Sequence, residues 1–264
     1  MSFTENNHNG LIYMSSDKIG ARHAFTTRYG GVSTGIFSSL NLGSNRGDDP
    51  EAVRENYRRV CGLMGVGIDD MAVTQQVHKA DVRIVTSADK HVCMSHVPYE
   101  ADGIVTSERG LPIMCMVADC VSVLLWDGEH SAAGAIHCGW RSSVGDILRN
   151  ALDAMASLGA KAQSVHAAIG PSIGRCCFET DDDVPRAIER YLSGDTDGLF
   201  DRRPGGKTMV DLRAANARRL IQLGVLPENI DISDECTYCR HDKYWSHRYT
   251  HGQRGSQAAL IVLD

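Results

Sequence analysis

Two neighbouring segments of the sequence are apolar at nearly every position, and they constrain the fold more than any other feature. These segments are IMCMV (113–117) and VSVLLW (121–126). A strand with one face in water alternates apolar and polar side chains, whereas a strand covered on both faces is apolar throughout. The sequence therefore predicts sheets that are sandwiched between other layers.

Other segments supply further strands and helices. Besides the two apolar segments, strands are predicted over 71–77, 82–85, 132–136, 165–169 and 258–263. Helices are predicted from Asp49-Pro50, which supply an N-cap and a first helical proline, to Gly65, and over 142–159, 211–224 and 184–192. No Pro-rich or Ser-rich linker divides the chain. We therefore expect a mixed α+β protein with a single domain over 1–264.

Charge and cysteine content exclude several classes of protein. The net charge is −6 and the isoelectric point is near 6.0, so no global positive field would attract nucleic acid or an anionic membrane. No apolar run approaches the roughly 20 residues that span a bilayer, and the N-terminal residues do not resemble a signal peptide. Nine scattered cysteines in a chain of this length are typical of a reducing compartment. We expect a cytoplasmic protein.

Three potential metal ligands, His78, Cys120 and His137, each follow a predicted strand. Strand ends hold side chains rigidly, and imidazole nitrogen with thiolate sulfur suits zinc or copper better than magnesium or calcium. A structural zinc usually has four protein ligands, whereas a catalytic zinc has three and keeps one position open. Asp119 is a candidate to orient a ligand or to handle a proton. The alternative from spacing alone is a core histidine and a cysteine that acts as a small hydrophobe.

Six motifs occur in a fixed order along nearly the whole chain. They are HAFTTRYGGVSTGIFSSLNLG (23–43), QQVH (75–78), ADG (101–103), ADC (118–120), HCGWR (137–141) and IGPSIG (169–174), followed by GQRGSQAALIVL (252–263). This set resembles the family variously described as laccase-like multicopper polyphenol oxidases and as purine nucleoside phosphorylases of the YfiH and YlmD type. The resemblance implies a layered sandwich of mixed β-sheets with helices packed outside. It also implies a metal centre, generally zinc, on His78, Cys120 and His137.

The resemblance further implies an enzymatic activity. The expected reaction is phosphorolysis of adenosine, inosine, guanosine and methylthioadenosine to a free base and ribose 1-phosphate, with deamination of adenosine as a second activity. The expected cofactor is Zn²⁺, with copper as the alternative. The partners are then a small-molecule nucleoside and phosphate, with no nucleic acid and no membrane, and the protein is expected to be a monomer or a small homo-oligomer.

Three other functions stay open at this point. They are a copper-dependent phenol oxidase, a metal-dependent hydrolase that edits peptidoglycan precursors, and a protein in which the metal is only structural. A multicopper oxidase needs further copper sites built from many paired histidines, and the chain has 11 histidines with no HxH pair. The phenol oxidase is therefore disfavoured.

Phosphorolysis needs a bound phosphate, which the planar donors of arginine suit well. The candidates are Arg28, Arg46 and Arg141, each in a glycine-containing loop, and Asn41 is a candidate for binding ribose or base. The chain departs from the common family pattern at Cys138 and Ser122, while the three presumed ligands are retained.

The remaining cysteines and histidines carry weaker signals. Cys236 and Cys239 form an isolated CxxC, which is weak evidence for zinc or redox chemistry. Cys176-Cys177 is predicted to serve packing. The polar segment that contains His241, His247 and His251 could line a pocket mouth or bind an adventitious metal, and a surface loop is the preferred interpretation.

Overall fold

A computed structural model describes residues 3–264 of the chain. Within that range there are five α-helices: α1 Pro50–Leu63, α2 Trp140–Val144, α3 Ile147–Ser157, α4 Asp183–Tyr191 and α5 Leu212–Gln222. The first seven strands are β1 Phe3–His8, β2 Leu11–Ser16, β3 Arg22–Thr26, β4 Val82–Ile84, β5 Gly103–Thr106, β6 Ile113–Val117 and β7 Val121–Asp127. The remaining strands are β8 Ala132–Cys138, β9 His166–Ile169, β10 Glu179–Thr180, β11 Phe200–Arg202, β12 Thr208–Val210, β13 Ile230–Ile232 and β14 Gln257–Val262. None of the helices in this part of the chain has the length and apolar character to cross a membrane.

Two large sheets form the centre of the molecule. The five-stranded sheet has the order β1-β2-β3-β14-β6, and the six-stranded sheet has the order β13-β9-β7-β8-β5-β4. The six-stranded sheet is mixed, because the β13–β9 and β4–β5 pairs are parallel and the others are antiparallel. A smaller sheet has the order β10-β12-β11.

The side chains of each central strand alternate between two apolar cores. On β7, Leu124 packs between the two large sheets, whereas Val123 and Leu125 face the core formed with α3, α4 and α5. On β6, Ile113 lies in the core between the sheets, and Met114 joins the core under α1. The layers therefore run α1, five-stranded sheet, six-stranded sheet and α3–α5. This arrangement confirms the prediction of a layered α+β sandwich with helices outside, because both faces of β6 and β7 are covered.

Several predicted elements are confirmed by the structure. Helix α1 begins after Asp49, whose side chain accepts a hydrogen bond from the Glu51 backbone, and α5 begins after Asp211, whose side chain accepts one from Ala214. Helix α4 matches the predicted helix over 184–192, and β4, β6, β7, β8, β9 and β14 match predicted strands to within a few residues. Caps and continuous apolar segments were sufficient signals for these elements.

Two predictions were wrong. The single helix predicted over 142–159 is two helices, α2 and α3, separated at Asp146, whose φ of 68° is left-handed. The Asp146 carboxylate accepts hydrogen bonds from Arg149 and Arg219, which compensate for that conformation. The predicted strand over 71–77 is a loop that makes only isolated bridges at Ala72 and Gln75.

Candidate metal centre

Antiparallel pairing of β7 and β8 brings two of the predicted ligands together. Cys120 immediately precedes β7, and His137 is the last residue but one of β8. Val121 pairs with Cys138 and Ser122 pairs with His137, so the start of β7 lies beside the end of β8. Two ligands that are distant in sequence therefore meet at one edge of the six-stranded sheet.

The third predicted ligand, His78, is held by a buried carboxylate rather than by a strand. Asp102 is fully buried, and its two oxygens accept hydrogen bonds from the backbone N–H groups of Val77, His78 and Lys79 at 3.0, 2.9 and 2.9 Å. The same carboxylate accepts a hydrogen bond from Nδ1 of His137 at 2.7 Å. These three hydrogen bonds hold the backbone around His78, whose φ is 59°.

The three predicted ligands form a compact site. One ligand atom from each of His78, Cys120 and His137 lies within 4.8 Å of the others, and the two imidazole rings are 4.8 Å apart between centroids. Because Nδ1 of His137 is bonded to Asp102, the Nε2 of this ring faces the site. His137 is buried, Cys120 is partly buried and His78 is exposed. A soft nitrogen and sulfur set of this size fits one zinc or copper ion with a position left open.

Charge within the site supports this geometry. Burial alone would lower the pKa of His137, but its interactions with the neighbouring Cys120 sulfur and with Asp102 outweigh burial and raise the pKa to about 9. Burial raises the pKa of Asp102, but the hydrogen bonds from His137 and from the Lys79 and Val77 backbone lower it further than burial raises it. Asp102 is therefore an anion that fixes both the orientation and the tautomer of a ligand.

Close packing around the site requires a glycine in the HCGWR motif. A Cβ on Gly139 would lie 2.9 Å from Nδ1 of His78 and 3.5 Å from Sγ of Cys120. Cys138, where the chain departs from the common pattern, is fully buried in the core under α3 and points away from the site. Burial raises its pKa well above the usual value, so it is an inert thiol. Ser122 is also buried, and its backbone carbonyl accepts a hydrogen bond from Gly170.

Asp119 connects the metal centre with the C-terminal part of the chain. Its Oδ1 accepts a hydrogen bond from the Thr237 hydroxyl at 2.6 Å, and its Oδ2 accepts hydrogen bonds from the Ser246 hydroxyl at 3.0 Å and the Arg248 backbone at 2.6 Å. Asp119 also lines the smaller of two cavities at the site, together with His78 and Cys120. The predicted role in orienting a ligand or handling a proton stays a prediction.

Two cavities meet at the metal centre. A larger cavity of about 660 Å³ contains all three ligands and is lined by polar groups that include Gln75 and Gln76. A smaller cavity of about 290 Å³ has a mainly apolar lining, which includes Trp140, Ile173 and Phe178. The two cavities share five residues: Arg46, His78, Ala118, Cys120 and Arg254. A molecule in either cavity would therefore contact the metal centre.

Two arginines stand at the junction of the cavities. Burial and the positive charge of Arg46 lower the pKa of Arg254 to about 10. Arg254 donates hydrogen bonds to the Gly255 carbonyl and the Ser256 hydroxyl, but its buried Nε has no acceptor among residues 3–264. Two neighbouring guanidinium groups, one with an unsatisfied donor, form a site that would favour an anion.

The other predicted substrate residues occupy different positions. Arg28 donates to the carbonyls of Ser38 and His241 and stacks on Trp245, which accounts for its side chain structurally. Asn41 is fully buried. Its side chain bonds to Gly43, Asp48 and the Ser256 backbone, so it shapes the loop that carries Arg46. Arg141 is exposed and stacks on Trp140, which lines the smaller cavity. Of the four, only Arg46 lines both cavities.

The C-terminal histidines differ from one another in position. His247 is exposed and lines the smaller cavity. His241 stacks on Tyr249 with ring centroids 3.6 Å apart, and His251 is exposed on a turn. The surface-loop interpretation therefore holds for His251, whereas His247 belongs to the site.

Reasoning from the sequence missed Asp102 and Arg254. Both lie in motifs that carry the resemblance, ADG and GQRGSQ. A buried aspartate beside the first residue of a strand was the available signal for Asp102. Arg254 gave no signal of its own, because the pairing of β14 that brings it to the cleft is not visible in the sequence.

Comparison with known proteins gives consistent matches over nearly the full chain. The family model for multi-copper polyphenol oxidoreductase laccase matches residues 22–264. A purine nucleoside phosphorylase from Deinococcus radiodurans is 35% identical over 254 residues, covering 96% of this chain and 94% of that protein. An adenosine deaminase from an unknown prokaryotic organism is 31% identical over 229 residues, covering 85% and 87%. The crystal structure of YlmD from Geobacillus stearothermophilus is 29% identical with a TM-score of 0.93, covering 99% of this chain and 98% of that one.

These matches cover the strands, the ligands and the cleft described above, and they agree with the ordered motifs. The chain therefore belongs to the multi-copper polyphenol oxidoreductase laccase family, which includes proteins of the YlmD and YfiH type.

Proposed function

We propose that this protein is a zinc-dependent purine nucleoside phosphorylase that acts on adenosine, inosine, guanosine and methylthioadenosine, with deamination of adenosine as a second activity. The observation that carries the proposal is the three-ligand site of His78, Cys120 and His137 at the junction of two cavities, beside Arg46 and Arg254. Relatives named as purine nucleoside phosphorylase and adenosine deaminase support it.

Phosphate binds at Arg46 and Arg254 in this proposal. The Nε of Arg254 is a buried donor that lacks an acceptor among residues 3–264, and the positive charge of the nearby Arg46 repels the Arg254 guanidinium. A phosphate between them would satisfy the donor and neutralise the repulsion, so these two side chains would hold the nucleophile beside the metal centre. The exposed Arg141, which stacks on Trp140, would attract phosphate by its charge rather than hold it.

The nucleoside binds in the smaller cavity. Trp140 and Phe178 offer flat apolar surfaces to a purine ring, and His247 at the same cavity offers a polar edge. With the base in this cavity, the ribose would lie toward the shared boundary, where the phosphate is held. Binding both substrates in a fixed orientation supplies a large part of the catalytic effect.

The metal centre would supply the remaining catalytic groups. A bound zinc would supply a Lewis acid that polarises an oxygen of the substrate or of water. Asp102 keeps the proton of His137 on Nδ1 and holds the backbone around His78. Deamination of adenosine would bind the same nucleoside in the same cavity, with water rather than phosphate as the nucleophile.

The copper oxidase alternative has less support. Within residues 3–264, groups of at least three close His, Cys, Asp or Glu side chains number two: His78, Cys120 and His137, and a set of four cysteines. Neither group provides the paired histidines that a cluster of several copper ions needs. A hydrolase of peptidoglycan precursors would use the same centre, and only the substrate assay separates it from the proposal.

Phosphate dependence is the decisive test. Purified protein with inosine should release hypoxanthine and ribose 1-phosphate only when phosphate is present. Arg254→Gln should raise KM for phosphate by at least about tenfold, because a charge-assisted hydrogen bond contributes roughly 1.5–3 kcal/mol. Arg190→Gln, an exposed arginine on α4, is the matched control and should leave KM unchanged. Hypoxanthine release at the same rate without phosphate would contradict the proposal.

A further inference from the structure

Four cysteines from two separate loops meet at the surface on the side of the six-stranded sheet that carries β9 and β13. Cys176 and Cys177 lie in the loop after β9, and Cys236 and Cys239 lie in the loop after β13. Because β9 and β13 are adjacent and parallel, the two loops leave the sheet side by side. All four sulfur atoms lie within 4.8 Å of one another, and we call these four residues the thiol cluster.

The distances within the thiol cluster match those around a single tetrahedral ion. The Sγ of Cys239 lies 3.7 Å from that of Cys176 and 3.4 Å from that of Cys177. A disulfide requires about 2.05 Å between sulfur atoms. Four thiolates around one zinc, each about 2.3 Å from the ion, lie roughly 3.8 Å apart. An iron–sulfur cluster places several iron atoms between its thiolates and needs a wider cage than this one.

The exposure of these thiols also points to a ligand. Cys176 and Cys239 are the exposed cysteines among the nine, and apart from the metal-centre ligand Cys120 the cysteines outside the thiol cluster are buried. A free cysteine normally behaves as a buried hydrophobe, so packing does not account for two exposed thiols in contact. Cys176, Cys236 and Cys239 face a surface cavity of about 940 Å³, which gives an ion a path to the thiols.

The backbone around the thiol cluster is arranged as a rigid support for negative sulfur. The N–H of Gly174 donates a hydrogen bond to Sγ of Cys236 at 3.2 Å. A Cβ on Gly174 would lie 3.0 Å from the Arg213 guanidinium and 3.3 Å from Sγ of Cys176, so glycine permits this approach. The Thr237 N–H donates to the Ser172 carbonyl at 3.0 Å, which ties the two loops together beside the sulfur atoms. The Gly174 N–H donor favours the thiolate form of Cys236, whereas burial raises the pKa of the Cys176 and Cys177 thiols, whose protons a bound metal would displace.

We propose that the thiol cluster is a second metal site, which holds one structural zinc ion with all four positions filled by Cys176, Cys177, Cys236 and Cys239. Because no position is left for substrate, this zinc takes no part in the reaction. Binding would replace the thiol protons with the metal and join the two loops by four Zn–S bonds.

The position of the second zinc gives it a defined consequence for the cleft. The loop after β9 also carries Ile173 and Phe178, which line the smaller cavity. The loop after β13 also carries Thr237, whose hydroxyl donates to Asp119 next to the ligand Cys120. The second zinc would therefore hold one side of the smaller cavity in place without contacting its contents.

Zinc content of the full-length protein tests the proposal without any assay of turnover. Protein purified with zinc in the growth medium and desalted should contain about two zinc ions per chain by elemental analysis. Cys239→Ser and Cys120→Ala should each contain about one, and the double variant close to none. Cys93→Ser, a buried cysteine outside both sites, is the matched control and should retain two. A Cys239→Ser protein with the wild-type zinc content overturns the proposal, and so does iron in place of zinc.

A second measurement uses the wild-type protein, so it tests the proposal even if a variant fails to fold. Cys176, Cys177 and Cys239 should resist a thiol-specific reagent until a strong chelator is added, and then react together as zinc is released. Hydrogen exchange of residues 172–178 and 236–240 should accelerate at the same step. Immediate reaction of the exposed thiols in zinc-containing protein, or a disulfide within the thiol cluster, would overturn the proposal. Both results are independent of the nucleoside reaction, so failure of the proposed function leaves them intact.

Discussion

Replacing Asp102 by asparagine should weaken metal binding without removing a metal ligand. The four hydrogen bonds that this carboxylate accepts require acceptors on both oxygens. An asparagine oxygen can keep the bonds from Val77 and Lys79, but the NH₂ group then faces the N–H of His78. It also faces Nδ1 of His137, which must give up its proton to accept a hydrogen bond. The proton moves to Nε2, where it blocks the nitrogen that faces the metal.

The structure sets the size of both effects. Replacing two charge-assisted hydrogen bonds, at roughly 1.5 kcal/mol each, lowers the free energy of unfolding of the metal-free protein by about 3 kcal/mol. The affinity for zinc should fall by about 10- to 100-fold, the usual effect of removing the partner of a histidine ligand. Asp102 is fully buried, so solvent screening reduces neither effect.

Competition with a chromophoric chelator measures the zinc affinity of Asp102→Asn, and denaturant unfolding of the metal-free protein measures its stability. Asp81→Asn is the matched control, because Asp81 is exposed and its side chain makes no hydrogen bond among residues 3–264. The control should change zinc affinity by less than about twofold, as surface substitutions usually do. Wild-type affinity in Asp102→Asn would refute the argument that this carboxylate fixes the ligand tautomer.

Three further predictions concern the same centre. Gly139→Ala should abolish zinc binding, because the added Cβ would displace the His78 imidazole, which is 2.9 Å away. Gly62→Ala on α1 is the control, because open space surrounds that position. This control should bind zinc normally, and its free energy of unfolding should rise by about 1 kcal/mol. The pKa of His137 is raised from 6.5 to about 9 in the metal-free fold, so protonation of this ring stabilises the fold. This contribution is complete below pH 6.5 and is lost as the pH rises through about 9. Thermal unfolding of the metal-free protein across this range should show the loss, and a melting temperature that does not change with pH would contradict it. Cys120→Ala should lose one zinc and all turnover while remaining folded by circular dichroism, and Cys138→Ala should keep both; equal zinc loss in the two variants would mean that the wrong thiol was chosen.

The sequence was most informative where a local signal and the tertiary structure agree. The continuous apolar segments at β6 and β7 predict covered sheets because burial on both faces leaves no polar position. The caps at Asp49 and Asp211 predict helices because a local side chain satisfies a helix N-terminus. The predicted strand over 71–77 is wrong because its backbone bonds to separate distant partners: Ala72 bridges Ile113, Gln75 bridges Glu100, and the Val77 N–H donates to Asp102.

The sequence predicted the three candidate ligands and Arg46, but it did not predict Asp102 or Arg254. The motif resemblance indicated His78, Cys120 and His137. Hydrophobic periodicity could not predict that they are close in space, because their proximity depends on β7–β8 pairing and on Asp102. Arg28 and Asn41 were chosen from a loop whose side chains stabilise the loop itself. The interpretation of the cysteines as isolated pairs failed for the same reason, because the contact between the two loops depends on the pairing of β9 with β13.

Strand β14 has a consequence for the order in which this molecule assembles. It lies between β3 and β6, and it pairs Ala259 with Phe25, more than 200 residues earlier in the chain. Contacts of such long sequence separation form slowly, because a large loop must close before any pairing energy is gained. Arg254 lies three residues before this strand, so it reaches the cleft only when the strand is docked. During refolding, the capacity to bind an anion should therefore appear after most of the helical signal, so that catalytic competence is among the last properties acquired.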